Sequence, residues 1–167
     1  MKKMTNSKTK TTSTMESPLG TVTRTHHLGL SVRDIDASIR WYEEKLGFKV
    51  TKRFAFENLS DAGVTTREER IDGKFAFLEL NGFNIEMIAL KDSVPFPYKG
   101  DPAAKAYMHG LAHLCFTVDN VDEVIEELKR RDVEITWEPA SFPDLGIRRS
   151  TFSDFEGNQL EIVEYID

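Results

Sequence analysis

The chain repeats itself. His27-Leu28-Gly29-Leu30-Ser31-Val32 lies over His113-Leu114-Cys115-Phe116-Thr117-Val118 at an offset of 86 residues, and the same offset carries Asp36 onto Asp122 and Ile39 onto Ile125. A duplicated unit of this size is one supersecondary module, too small to bury both its helix and its sheet alone, so two copies must share a core.

The local patterns give both halves the same element order. Leu28, Leu30 and Val32 alternate with His27, Gly29 and Ser31, the period of a strand with one apolar face. Asp34 then suits a helix N-cap, and Ile35, Ile39, Tyr42 and Leu46 recur at helical spacing until Gly47. Strands are expected over 48–56, 74–80 and 83–90, the last two joined by the hairpin pair Asn81-Gly82. The second half reads as a strand over 113–118, a helix over 120–131, and strands over 133–137, 147–153 and 159–166, with a turn at 154–158. The expected fold is therefore α+β: two tandem βαβββ modules, residues 21–90 and 111–167. Residues 91–110, rich in Pro and Gly, read as a linker, and the Lys/Thr/Ser-rich residues 1–20 as a disordered tail.

Charge and cysteine usage narrow the function. The whole chain carries −6, and residues 21–167 hold 18 basic against 27 acidic side chains, a net of −9. Such a surface does not track phosphates, so no nucleic acid is expected as a partner. The single cysteine, Cys115, rules out an intrachain disulfide and any multi-thiolate zinc motif. No apolar run reaches the ~20 residues of a membrane span, and the tail lacks a signal-peptide core, so neither membrane nor secretion is expected; the location expected is cytoplasmic.

Four residues stand out against the repeat. His27 and His113 open the first strand of their halves, while Glu86 and Glu161 each interrupt an otherwise apolar final strand. A carboxylate on a buried face is costly without a partner. Two imidazoles and two carboxylates would neutralise one divalent ion and leave positions for water or substrate, the composition of a catalytic site. His26 is displaced from the set by the alternation, and His109 has no counterpart in the other half. Cys115 shares the face of His113 and reads as a small residue beside the site. Phe54, Phe56, Phe96, Tyr98 and Trp137 are candidate pocket walls.

These stretches, with Arg33-Asp34, Ser38-Ile39-Arg40-Trp41-Tyr42, Leu46-Gly47-Phe48 and Asp154-Phe155-Glu156-Gly157-Asn158-Gln159-Leu160-Glu161, resemble the vicinal oxygen chelate superfamily, also called the glyoxalase/bleomycin-resistance/dioxygenase superfamily. The resemblance spans about 23–165. It implies that the mixed, curled sheets of the two modules form a metal-binding cleft with one divalent ion per site (Zn, Ni, Co, Mn or Fe), bound by His27, Glu86, His113 and Glu161 from the first and fourth strands of paired modules, within one chain or across a homodimer. A carboxylate at Glu86 sets the chain apart from the extradiol dioxygenases and beside glyoxalase I. The activity implied is that of a lyase or isomerase in which the metal stabilises an enediolate of a small-molecule substrate, a 2-oxo or hydroxy-carbonyl compound or its thiol adduct, while Glu161 or Glu86 moves the proton. The positions where glyoxalase I holds glutathione are here Ser31 and Leu90; Arg53, Arg148 and Arg149 are the cations left to bind a substrate carboxylate. A non-haem iron dioxygenase and a metal-free drug-binding protein are the alternatives the superfamily offers.

The tail cannot repay the entropy of its own ordering, because it lacks apolar periodicity. Removing residues 1–20 is expected to leave the melting temperature unchanged, and a drop of several degrees in differential scanning fluorimetry would show that the tail docks on the fold.

Overall fold

The computed structural model describes residues 25–60, 70–91, 93 and 111–166. The tail and most of the linker, with His109, Phe96 and Tyr98, lie outside these residues. Two four-stranded mixed sheets carry the fold. The first holds β1 (Leu28–Ser31), β2 (Lys49–Ser60), β3 (Arg70–Leu80) and β4 (Phe83–Leu90) in the order β1-β4-β3-β2. The second holds β5 (Leu114–Thr117), β6 (Ile135–Phe142), β7 (Ile147–Ser153) and β8 (Gln159–Tyr165) in the order β5-β8-β7-β6. In each sheet the first and last strands pair in parallel and the others antiparallel. The duplication inferred from the sequence is thus a duplication of topology, and the sheets remain open.

Each module carries one helix on one face of its sheet. Helix α1 (Ile35–Trp41) starts where the Asp34 carboxylate accepts from the backbone N–H groups of Asp36 and Ala37, at 3.1 and 3.0 Å. It widens into a π turn over Tyr42–Leu46 and stops at Gly47, whose φ of 81° is the left-handed conformation glycine takes without strain. Helix α2 (Val121–Arg130) is capped in the same way by Asn120. The sheet positions under the helices are the most buried: Ala76, Leu78, Ile85 and Met87 in the first module, Phe152, Leu160 and Ile162 in the second. Alternation explains this, since every second residue of a strand must meet the helix.

Side chains on the helix side also join the modules. Trp41, Leu46, Leu114 and Phe116 pack against both cores, and the Phe48 and Phe116 rings meet edge-on at 6.2 Å. Polar contacts fix the angle between the modules. The fully buried Tyr42 donates its hydroxyl to Asp154 at 2.9 Å. Asp154 in turn accepts from the N–H groups of Glu156 and Asn158 and from the Asn158 amide, which shapes the turn before β8. The Glu156 carboxylate accepts from the backbone N–H groups of Arg33 and Asp34 at 2.9 and 3.3 Å, and Arg131 donates to the carbonyls of Glu44 and Lys45. The sequence motif 154–158 is therefore an inter-module latch as well as a turn.

Burial and the charge of Asp154 push the Tyr42 hydroxyl far above its ordinary pKa, so it stays a donor at every physiological pH. Tyr42→Phe removes that donor from a buried carboxylate without leaving a cavity. It is expected to cost about 1–2 kcal/mol in urea denaturation, the net value of a hydrogen bond to a charged group, and an unchanged unfolding midpoint would show that the latch carries no load.

Candidate functional site

The faces turned away from the helices bear the four candidate residues. Glu86 sits opposite Gly29 in the parallel β1–β4 register, and Glu161 sits opposite Cys115 in β5–β8. Gly29 and Cys115 are themselves related by the offset of 86, so the two carboxylates occupy equivalent places although their own separation is 75 residues. The shorter second module accounts for the difference. Two residues before Gly29 and Cys115 stand His27 and His113, on the carboxylate face by alternation.

The contacts follow from that register. His27 Nε2 lies 3.2 Å from Glu86 Oε2, and His113 Nε2 lies 2.7 Å from Glu161 Oε2. Glu161 is nearly buried, with 7% of its side chain exposed. Its second oxygen, Oε1, accepts from Arg149 NH1 at 2.8 Å. Arg149 is stacked in turn, its guanidinium carbon 5.1 Å from the Trp137 ring centre and 4.9 Å from that of Phe142. In the first module His27 meets the edge of Phe77 and also His26, whose Nδ1 is 2.6 Å from His27 Nδ1. The neighbouring wall is aromatic: Phe54 stacks on Phe75 and Phe56 lies against it.

The four residues read as ligands are thus brought together two by two. Among the described residues no group of three or more His, Cys, Asp or Glu side chains lies at metal-binding spacing. A single cleft gathering all four within one chain is not formed by these residues, because each pair sits on the helix-free face of its own sheet. The argument from costly burial changes accordingly: Glu161 has an imidazole and a guanidinium as partners, and Glu86 has an imidazole. Arg149 was legible only as one of three candidate cations, and its pairing with Glu161 depends on the β7–β8 register, where Thr151 opposes Glu161 and Arg149 opposes Val163. Of the other two, Arg53 pairs with Asp36 and Arg148 grips Asp122 through Nε and NH2 at 2.7 and 2.6 Å. Both are committed to tying a helix to its sheet. His26, set aside on the sequence, proves to touch the candidate ligand His27.

Two sheets of β-α-β-β-β topology with a His–Glu pair at the same register position of each define a protein of paired βαβββ modules. The comparisons with known proteins agree. Residues 24–162 match the Glyoxalase/Bleomycin resistance protein/Dioxygenase superfamily, and the chain belongs to that superfamily. It is 32% identical over 141 residues to the uncharacterized Bacillus subtilis protein YwkD, covering 84% of this chain and 94% of that one. A glyoxalase family protein from Bacillus cereus superposes with a TM-score of 0.71 at 19% identity, over 90% of this chain and 99% of its own. The trypanothione-dependent glyoxalase I of Leishmania major superposes at 0.57 and 21% identity, over 86% and 87% of the two chains. At these identities the two structures establish the shared fold. No helix among the described residues is long and apolar enough to cross a membrane.

Cys115 completes the second half-site and is chemically quiet. Burial first, and then the Glu161 charge, push its thiol up to about 11, with Arg149 opposing. Alkylation by iodoacetamide should therefore be slow at pH 8 and still accelerating at pH 10, where an ordinary thiol has levelled off. Glu161→Gln removes one raising charge and should move the rate profile to lower pH; a wild-type profile that levels off near pH 9 would contradict this environment.

Proposed function

We propose that the protein is a divalent-metal-dependent lyase or isomerase of the glyoxalase type, acting as a homodimer on a small 2-oxo or hydroxy-carbonyl compound or its thiol adduct. The observation that supports this reading is the repeated His–Glu pair, with Nε2 and Oε2 3.2 and 2.7 Å apart on the same face of both modules. Ligand atoms that share one ion at about 2.1 Å stand roughly 3 Å from each other, so each pair fits as half of a donor set. His27 and Glu86 of one copy would complete the set with His113 and Glu161 of a second. An isologous dimer makes two such sites at once. A bound ion would polarise two neighbouring oxygens of the substrate and so lower the cost of an enediolate.

The carboxylates divide the remaining work. Glu161 is held from both sides, by His113 and by Arg149, which fixes its direction. Glu86 is more exposed and has His27 as its one ion-pair partner among the described residues, so it has the freedom to take a proton from a substrate carbon and return it to the neighbouring one. A metal-free binding protein is the competing reading, favoured by the same fact that both carboxylates already have protein partners.

Complementation between two defective chains tests metal, ligands and dimer together. One chain carries His27→Ala and Glu86→Gln, the other His113→Ala and Glu161→Gln. Neither should retain wild-type metal content alone. Refolded together in equal amounts, they should recover about a quarter of the wild-type content, because half of the dimers are mixed and each mixed dimer holds one intact set. Full metal in either parent would refute the ligand assignment, and no recovery on mixing would refute the shared site.

A further inference from the structure

We propose that Arg149 selects an anionic substrate, a 2-oxo or 2-hydroxy acid whose carboxylate it binds beside the metal position; this rests on the metal-site reading above. Among the arginines and lysines near the two sheets, Arg53, Lys74 and Arg148 are taken by Asp36 and Asp122 on the helix side. Arg149 follows Arg148 in β7 and so points to the opposite face, where Glu161 and His113 lie.

Its guanidinium is only partly used. NH1 donates to Glu161 Oε1, while Nε and NH2 have no protein acceptor among the described residues. The guanidinium carbon lies about equally near the Trp137 and Phe142 rings, which meet each other edge-on at 6.5 Å, and these contacts restrict the side-chain rotamers that binding would otherwise have to freeze. Trp137 is 52% exposed, so this aromatic wall opens to a ligand. A planar, fixed cation with a free edge suits bidentate recognition of a carboxylate.

Charge and the repeat support the same choice. Two carboxylates neutralise a divalent ion, so Arg149 leaves one positive charge in excess within the set. On a chain of net −6 that is a local feature able to select an anion. The equivalent place in the first module is Phe75, since Phe77 opposes Glu86 as Thr151 opposes Glu161. The second half-site therefore brings a guanidinium to its carboxylate, whereas Glu86 has Phe77 and Phe75 beside it, with Phe54 and Phe56 against Phe75 and Lys52 farther out over Phe54; the rings suit the apolar tail of a short-chain acid.

The test uses two probes of like size, 2-oxobutyrate and the uncharged 2,3-pentanedione, titrated calorimetrically into wild-type, Arg149→Met and Arg149→Lys protein after incubation with Zn²⁺ or Ni²⁺. Wild-type protein should prefer the acid by at least about tenfold, the scale of one hydrogen-bonded charge pair. Arg149→Met should lose that preference while keeping its affinity for the dione, and Arg149→Lys should keep only part of it. Equal wild-type affinity for the two probes, or none for either, overturns the proposal. Metal content is read on the same samples. If Arg149→Met loses metal together with acid binding, Arg149 merely positions Glu161 and the proposal is overturned. Wild-type protein that takes no metal yet prefers the acid fails the metal reading and keeps the role of Arg149; protein that takes metal without discriminating does the reverse.

Discussion

Parallel pairing of the first strand of each module with its last is the constraint from which the site follows. A parallel pair cannot be closed by a tight turn, so the intervening helix and two strands must cross over, and the helix covers one face of the sheet. The other face is left open. The register Gly29 opposite Glu86, and Cys115 opposite Glu161, then determines which side chains that face presents. A slip of one residue in either pair would turn the carboxylate under the helix, among Ile85 and Met87 or Leu160 and Ile162, where an ion has no water and no partner. The buried neighbours of each Glu hold the register, and the register holds the chemistry.

The helix side is pinned by charge in both modules. Lys74 reaches Asp36 at 3.1 Å, and Arg148 reaches Asp122, with the two aspartates related by the offset of 86 and the two cations at the same strand position. These cations, with Arg53 in the first module, hold both aspartate carboxyls below their usual range. Exposed pairs of this kind add little to stability. Their effect is to consume these cations of the helix side, while on the faces of the carboxylates Lys52 stands over the Phe54 ring in the first module and the Arg149 guanidinium reaches Glu161 in the second. A nearly buried Glu161 needs such a partner, and contact with two rings keeps the partner in place.

Much of this was legible in the letters. The strands 83–90 and 147–153 fall where alternation puts them, and Asp34, Gly47 and Asn120 act as the caps their chemistry suggests. Strand ends were not legible. Pro139 argues for ending a strand at Trp137, yet β6 continues to Phe142, because it is an edge strand with a register shift between Trp137 and Ala140 and an edge tolerates a missing N–H. The partner of Glu161 was hidden for a different reason. Alternation says that Arg148 and Arg149 face opposite ways, but only pairing with β8 says which of them faces the carboxylate. That information is nonlocal, as is the Tyr42–Asp154 latch across 112 residues. The grouping of the four candidate residues two by two is likewise a property of module packing, which no pattern within one module encodes.

The two half-sites have diverged while their backbone has not. Gly29 has open space where a Cβ would stand, so packing does not demand glycine there, and its counterpart Cys115 carries a side chain at the same register. Beside them one face is aromatic and the other presents Arg149, Thr151 and Trp137. Divergence of this kind bears on how two copies would meet. Pairing like modules would set Arg149 against Arg149 and the phenylalanine wall against itself, and would leave two imidazoles and two carboxylates of one kind in each site. Pairing unlike modules would set the phenylalanine wall, with Lys52 over Phe54, against the face of Arg149 in every site, so that neither Arg149 nor the wall opposes its own copy. A duplicated fold whose halves have become unlike in this way carries the polarity of its site within a single gene product, and a symmetric dimer is enough to express it twice.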